Sequence, residues 1–157
     1  MSRVGLGFDA HAFDADRPLI LGGVTIPDAP GLAGHSDADV VSHAIADALL
    51  GSAGLGDLGQ LFPSNDRWKD VSSLEILRLT TQRLTETGCA IENVDVTIVA
   101  QRPRLASFRS AMVERIADAL GASPADVSVK ATTTDGMGSI GRAEGIAALA
   151  VVLVKRL

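Results

Sequence analysis

The sequence predicts an α+β domain in which helices pack on one face of a mixed four-stranded sheet, with a small hairpin beside it. Apolar residues alternate with period two in three segments, as in half-buried strands, and form a continuous strand-like run at 146–154. In three other segments they recur at three-and-four spacing, as in amphipathic helices. No repeat, linker or change of composition divides the 157 residues, so we expect one domain over residues 1–157.

Glycine and proline residues mark where these elements end. Gly22-Gly23 between two apolar triplets predicts a hairpin turn, and Ser36, Asp37 or Asp39 can cap the first helix, whose first residue therefore stays open. Glycine-rich segments at 51–66 and 132–142 predict irregular loops. The predicted elements are a strand at 3–13, a hairpin at 17–26, a helix that begins near 40, a helix at 72–88, a strand at 93–101, a helix at 108–121, and strands at 127–131 and 146–154.

Composition excludes several classes of function. The net charge is −5 and no basic run occurs, which argues against a nucleic-acid partner. No apolar stretch reaches the length of a membrane span, and the N-terminus lacks the pattern of a signal or transit peptide. A single cysteine, Cys89, provides no disulfide framework. We therefore expect a soluble, cytoplasmic domain.

Three side chains suggest a metal site. Asp9 and His11 share one face of the first predicted strand, about 6–7 Å apart along the backbone. Together with His43 they make a His₂Asp set, which is the number of protein ligands that an open, catalytic zinc site uses. Asp39 and Asp47 lie one helical turn on either side of His43, where a carboxylate can orient the second ring nitrogen.

A second candidate site is the loop that begins Thr132-Thr133-Thr134-Asp135. Hydroxyls and exposed backbone N–H groups suit phosphate oxygens, and a carboxylate suits a hard divalent cation, although a plain turn between strands has the same composition. His35 beside Ser36 is a weak candidate for a base and a nucleophile, because adjacent side chains rarely point at each other.

Several motifs together point to one family: Gly7 to Phe13, His35 to Val40, His43 with Asp47 to Gly51, Gly56 to Gly59, Leu61 to Pro63, Asn93 to Ile98, Ala100-Gln101, and Lys130 to Thr134 with Gly141-Arg142. In this order and at this spacing, the sequence resembles the 2-C-methyl-D-erythritol 2,4-cyclodiphosphate synthase family over nearly its whole length. The resemblance implies a homotrimer with active sites at the subunit junctions. It also implies metal-dependent closure of 4-diphosphocytidyl-2-C-methyl-D-erythritol 2-phosphate to the cyclic diphosphate with release of CMP, in non-mevalonate isoprenoid biosynthesis.

The resemblance also implies roles for individual residues. Asp9, His11 and His43 match zinc ligands, and His35 and Thr133 match the positions that stabilise the transition state. Asp135 matches the acid that holds a second divalent cation, Mg²⁺ or Mn²⁺, near the phosphates. The implied substrate-binding positions are Asp9, His11, His35, Ser36, Asp57, Gly59, Phe62, Pro63, Ser64, Asn65, Asp66, Ala100, Pro103, Arg104, Leu105, Ala106, Thr132, Thr133, Thr134, Asp135, Ser139 and Arg142.

The chain departs from the family pattern in the loop that follows Thr134. Asp135 stands where the family commonly has Glu, and Gly136, Met137 and Ser139 stand where Lys, Leu and Phe are common. Two rival interpretations remain. A metal-stabilised trimer without activity would need a fourth protein ligand, and a zinc hydrolase of phosphate esters would need Asp39 or Asp47 as its base.

Overall fold

A computed structural model describes residues 1–157 as seven strands and five helices. The elements are β1 (Ser2–Asp14), β2 (Leu19–Leu21), β3 (Val24–Ile26), β4 (Gly31–Leu32), α1 (Val40–Ala53), α2 (Leu58–Leu61), α3 (Ser73–Glu86), β5 (Cys89–Val99), α4 (Arg109–Leu120), β6 (Val127–Thr132), α5 (Gly138–Gly141) and β7 (Gly145–Arg156). None of the helices has the length and apolar character needed to span a membrane.

The main sheet is mixed and has the strand order β4-β1-β7-β5-β6. Strands β1, β7 and β5 pair antiparallel, and β5 and β6 pair parallel. The sheet thus has five strands and not the predicted four. The additional strand is the two-residue β4, which pairs with the end of β1 through Phe13 and Asp14. A strand of two residues has no alternation to detect. The predicted hairpin is confirmed as β2 and β3.

Helices α1, α3 and α4 cover one face of the sheet, as predicted. Helix α1 contacts β1 and β7 and also packs on α3, so most of its residues are buried. The inward side chains of β5 and β7, such as Val96, Ile98 and Val152, are fully buried beneath these helices. Burial of this aliphatic layer provides the main stabilisation of the fold.

Two glycines allow α1 to lie unusually close to β1. A Cβ atom at Gly5 would lie 1.8 Å from the carbonyl oxygen of Ala48, and one at Gly7 would lie 1.9 Å from that of Ala44. Any larger residue would therefore collide with the helix backbone. Because Asp9 and His11 continue the same face of β1, this close approach brings them next to α1.

The apolar side chains that alternate with these glycines point away from the helices. Val4 and Leu6 are each 66% exposed and Phe8 is 60% exposed, and they lie beside Leu149 and Val151 of β7, which are also exposed. The second face of the sheet is thus apolar along β1 and β7 and uncovered in a single chain. A patch of this kind is typical of a protein–protein interface.

Two segments that were predicted as irregular loops contain regular structure. Helix α1 continues through Ala53 and ends at Gly54, which has φ of +71°, and the short helix α2 follows Asp57. The segment 132–142 likewise includes the four residues of α5. Helices of four residues are too short to produce a periodic pattern in the sequence.

Candidate functional site

Asp9, His11 and His43 meet at one point, where the outer half of β1 faces the first turn of α1. His11 Nε2 lies 2.9 Å and His43 Nδ1 lies 3.0 Å from the same carboxylate oxygen of Asp9. The two ring nitrogens are 3.4 Å apart. All three side chains are more than half buried, so the cluster lies in a recess of the surface.

This triangle fits a tetrahedral metal ion. With bonds of about 2.0–2.1 Å, a tetrahedral zinc ion holds its ligand atoms about 3.3 Å apart, which is close to the three distances above. No fourth His, Cys, Asp or Glu joins the group. Asp9, His11 and His43 can therefore hold a divalent metal and leave one position open, as predicted from their sequence pattern.

The charges of the three groups are strongly coupled. Burial acts to raise the pKa of Asp9, but hydrogen bonds and charge interactions with His11 and His43 outweigh it and hold that pKa well below its ordinary value. The hydrogen bond to Asp9 raises the pKa of His11 above its ordinary value, against the effect of burial, and a hydrogen bond with the backbone of Ala33 adds to the rise. These interactions favour the ionised carboxylate of Asp9 and the protonated ring of His11, so a metal ion that binds this ring competes with a proton.

The prediction that Asp39 or Asp47 orients His43 was wrong. Asp39 is fully buried and caps α1 by accepting from the backbone N–H groups of Val41 and Ser42. Its carboxylate also accepts the N–H groups of Gly22 and Gly23 in the hairpin turn. Burial and the nearby Asp37 carboxylate raise the pKa of Asp39, while these hydrogen bonds oppose the rise.

Asp47 is likewise engaged elsewhere, since it accepts a hydrogen bond from the backbone N–H of Leu58. Neither carboxylate contacts His43. Instead, the second ring nitrogen of His43, Nε2, lies 2.9 Å from the hydroxyl of Ser73 and 3.1 Å from that of Ser36. Neither Asp39 nor Asp47 is therefore placed to act as the base that the hydrolase interpretation requires.

A cavity of about 220 Å³ opens beside the metal-ligand cluster. His35 lies at its wall, where its Nε2 is 2.6 Å from the carbonyl oxygen of Asn65. Of the residues predicted for this site, the cavity is lined by Asp9, His11, His35, Ser36, His43, Gly59, Phe62 and Ser64. Leu58, Trp68 and Ile76 also line it and were not predicted.

The remaining predicted residues of the 57–66 segment lie outside this lining. Asp57 caps α2 by accepting from the backbone N–H of Gln60. Pro63, Asn65 and Asp66 are exposed in the turn that follows. Trp68 stacks edge-on against Phe62 with ring centroids 4.8 Å apart, so this aromatic pair anchors the segment.

A second cavity, of about 260 Å³, lies at the ends of β5 and β6. Its lining includes the predicted residues Ala100, Pro103, Arg104, Leu105, Ala106, Thr132 and Thr133, together with Gln101, Arg109 and Ala131, which were not predicted. No acidic residue belongs to this lining, and neither arginine makes a salt bridge. The cavity therefore suits an anionic ligand.

Four predicted residues of the 132–142 segment lie beyond the lining of this second cavity. Thr134 donates to the carbonyl oxygen of Met137 at 2.6 Å, and Arg142 pairs with Glu144 at 2.7 Å. Asp135 adopts a left-handed conformation with φ of +57°, and its exposed carboxylate makes no salt bridge. Ser139 is exposed in α5. The two cavities have no lining residue in common, so a single chain does not join them.

Comparison with known proteins agrees with this arrangement. A family model described as the YgbB family matches residues 2–155. The 2-C-methyl-D-erythritol 2,4-cyclodiphosphate synthase of Moorella thermoacetica is 56% identical over 97% of this chain and 94% of its own length. The protein of that name from Pelotomaculum thermopropionicum is 53% identical over 98% of this chain and 96% of its own. A solved IspF–CDP complex from Plasmodium falciparum is 32% identical, spans 99% of this chain and 96% of its own, and superposes with a TM-score of 0.86.

Proposed function

This chain belongs to the YgbB family, and on that premise we propose that it is a phosphorus–oxygen lyase that makes 2-C-methyl-D-erythritol 2,4-cyclodiphosphate. The substrate would be 4-diphosphocytidyl-2-C-methyl-D-erythritol 2-phosphate, and CMP would leave. The reaction belongs to non-mevalonate isoprenoid biosynthesis. The observation that carries this proposal is the open His₂Asp triangle beside a cavity, in a chain whose full length resembles such synthases.

Asp9, His11 and His43 are the residues that would hold zinc. A zinc ion bound there supplies a Lewis acid for phosphate oxygens. The arrangement of three ligands and no fourth favours this role over a purely structural metal site.

The reaction requires little covalent chemistry from the protein side chains. An oxygen of the 2-phosphate attacks the β-phosphorus of the same molecule, the bond between that phosphorus and the bridging oxygen breaks, and CMP carries the electron pair away. The chain therefore has to fold the substrate, align the reacting groups and compensate their charge. His35 at the metal cavity and Thr133 at the second cavity are the side chains that we assign to stabilising the transition state.

The second cavity is our candidate for the cytidine diphosphate part of the substrate. Ala100, the 103–106 turn, Thr132 and Thr133 line it. Its cationic and hydroxyl groups suit a diphosphate, and the Plasmodium relative was solved with CDP. We assign the methylerythritol end to the 57–66 segment beside the metal ligands.

We further propose that the working form is a homotrimer. A single substrate must reach both cavities, yet no residue of one chain lines both. The exposed apolar face of β1 and β7 offers a surface through which neighbouring chains can join one cavity to the other.

Asp135 would hold Mg²⁺ or Mn²⁺ between the phosphates, because its exposed carboxylate is not engaged in any salt bridge.

Product analysis in ¹⁸O-labelled water tests this function against hydrolysis. Cyclisation consumes no water, so mass spectrometry should find CMP and the cyclic diphosphate without label. A hydrolase would instead form an uncyclised product that carries ¹⁸O, and this result would overturn the proposal.

Thr133→Val should slow the reaction, whereas Thr81→Val is the matched control, because the Thr81 hydroxyl only contacts the Leu77 carbonyl of its own helix.

A further inference from the structure

On the side away from Asp9, the ring of His43 is the first member of a chain of hydrogen bonds that passes through the buried Ser73 to the half-buried Asp37. The ring nitrogen Nε2 lies 2.9 Å from the hydroxyl oxygen of Ser73, and that hydroxyl contacts the Asp37 carboxylate through Oδ1. The backbone N–H of Ser73 donates to the other oxygen of Asp37 at 2.9 Å. Ser73 is completely buried at the start of α3, so water cannot replace its hydroxyl as the partner of His43.

The direction of each hydrogen bond follows from the Asp37 carboxylate. An ionised carboxylate only accepts, so the Ser73 hydroxyl must donate its single proton to Asp37. The Ser73 oxygen can then only accept from His43. When a metal ion takes the place of the contact between Nδ1 and the Asp9 carboxylate, the single ring proton therefore sits on Nε2, and the Nδ1 lone pair is directed at the metal-ligand triangle.

Ser36 gives the ring a second, weaker contact. Its hydroxyl lies 3.1 Å from the same Nε2 atom and also accepts the backbone N–H of Ala38 at 3.3 Å. One ring proton cannot fully serve two acceptors, and Ser73 is the closer of the two. Ser36 thus supports the arrangement and does not determine its direction.

We propose that Ser73 and Asp37 are positioning residues that fix the tautomer and the orientation of His43 for metal binding. This inference rests on the proposed zinc site. In many metal centres a carboxylate accepts the hydrogen bond of the second ring nitrogen and so sets the orientation and basicity of the histidine ligand. Here a serine on α3 takes the place of that carboxylate. Loss of such a partner typically weakens metal binding by about 10–100-fold.

Zinc affinity provides the first test. Competition with a chelator should show that Ser73→Ala binds zinc about 10–100-fold more weakly than the wild type, and that Ser36→Ala combined with Ser73→Ala is weaker still. Thr80→Val is the matched control, since Thr80 is also a buried hydroxyl of α3 but bonds only to the Ile76 carbonyl. We expect its zinc affinity to equal that of the wild type.

Cobalt substitution provides a signature that general loosening of the fold would not produce. In the cobalt-loaded protein, the paramagnetic ion shifts the remaining N–H proton of each ligand histidine, so the protons of His43 and His11 can be followed separately by NMR. Ser73→Ala should speed solvent exchange of the His43 proton and leave that of His11 unchanged, because the Ser73 hydroxyl contacts the ring of His43 and not that of His11.

The outcomes separate this inference from the proposed function. If the wild type binds one zinc per chain and Ser73→Ala binds it within twofold, or if both histidine protons respond alike, Ser73 has no positioning role and only this inference is overturned. A wild type that binds no zinc would overturn the proposed metal site and this inference together.

Discussion

The backbone of β1 approaches α1 so closely at Gly7 that a Cβ atom would lie 1.9 Å from the carbonyl oxygen of Ala44. A backbone atom cannot rotate away as a flexible side chain can. The metal-ligand triangle depends on this spacing, because Asp9 and His11 belong to the strand and His43 to the helix. The missing side chain at Gly7 therefore contributes to the site as directly as the ligands do.

Gly7→Ala should destabilise the fold and weaken metal binding together. Overpacking of this kind costs about 1–3 kcal/mol, and a rigid backbone neighbour favours the upper end. Gly51→Ala is the matched control, because Gly51 lies in α1 with nothing within 4 Å of its added Cβ, and we expect it to stabilise by up to about 1 kcal/mol. Urea denaturation and zinc titration would measure both effects. Unchanged zinc affinity in Gly7→Ala would refute the link between strand spacing and the site.

His43→Ala should retain less than one zinc per chain in elemental analysis. Two ligands, Asp9 and His11, would remain on β1, and two protein ligands are fewer than the three that catalytic zinc sites use. His35→Ala is the control, because His35 lines the same cavity without belonging to the ligand triangle. Zinc retained at one equivalent in the His43 variant would exclude this ligand set.

Protonation should set the pH dependence of metal binding. Asp9 raises the pKa of His11 above its ordinary 6.5, so in the metal-free protein this pair adds stability at acidic pH that is lost as pH rises through the raised pKa. The lowered pKa of Asp9 adds stability above its ordinary 3.8. Zinc must displace the His11 proton, so zinc affinity should rise from pH 6 towards pH 8. Isothermal titration in two buffers of different ionisation enthalpy would detect the released proton, and its absence would contradict the assignment.

At the scale of elements, one carboxylate joins α1 to the hairpin. Asp39 caps the helix and also holds the N–H groups of Gly22 and Gly23, so a single side chain connects parts that are distant in the sequence. Ser42 adds a hydroxyl hydrogen bond of 2.7 Å to the same carboxylate. This arrangement fixes where α1 begins, and therefore where His43 lies.

Asp39→Ala should lower the free energy of unfolding by about 2–4 kcal/mol. Loss of the cap accounts for about 1 kcal/mol, and the backbone donors left without a partner in the interior account for the remainder. Ser123→Ala removes an exposed capping serine and should cost about 1 kcal/mol or less. Chemical denaturation measures both variants. Equal losses would show that the contact with the hairpin adds nothing.

The same elements show how far sequence reasoning reaches. Alternation on β1 and helical spacing around His43 were sufficient to predict the triangle, because each ligand lies on a regular element whose periodicity is local. Those patterns carry no information on which acid faces which ring across the fold. Asp39 and Asp47 were wrongly assigned to His43 for this reason, and Ser73, which is distant in the chain, was missed. Strand β4 and the short helices were missed because they are too short to repeat their periods.

At the scale of the whole molecule, the face of the sheet opposite the helices is incomplete in one chain. Val4, Leu6 and Phe8 alternate with the glycines and lie exposed, and Leu149 and Val151 extend the patch across β7. The sequence predicted the alternation, but alternation alone does not tell which face of a strand the helices cover. Here the glycines face the core and the large side chains face outward.

Leu6→Glu should dissociate the proposed homotrimer. A charge on a buried apolar contact cannot be compensated there, so light scattering should show monomers where the wild type is trimeric, and activity should fall with the trimer. Gln82→Glu places the same charge on the helix side at α3, and we expect a trimer with normal activity. An active wild-type monomer would contradict the proposed assembly directly.

The position of Asp135 relative to the second cavity bears on its proposed role. Its carboxylate is exposed at a left-handed turn, and the next residue, Gly136, donates its N–H to the side chain of Gln101 at the second cavity. The acid is thus tied to the cavity that we assign to the diphosphate. Magnesium binds through one or two carboxylates, phosphate oxygens and several waters, so a bridging water can span the methylene by which Asp is shorter than Glu.

Activity should therefore depend on added Mg²⁺ or Mn²⁺, and Asp135→Glu should keep both rate and metal dependence. Asp135→Asn has nearly the same size but no charge, and it should slow the reaction by about one to three orders of magnitude, or about 1.4–4 kcal/mol. It should also weaken the magnesium dependence, while leaving zinc content unchanged, because Asp135 does not belong to the zinc triangle. Rate measured against metal concentration in all three proteins tests this. The same rate and magnesium dependence in Asp135→Asn as in the wild type would mean that another group holds the second cation.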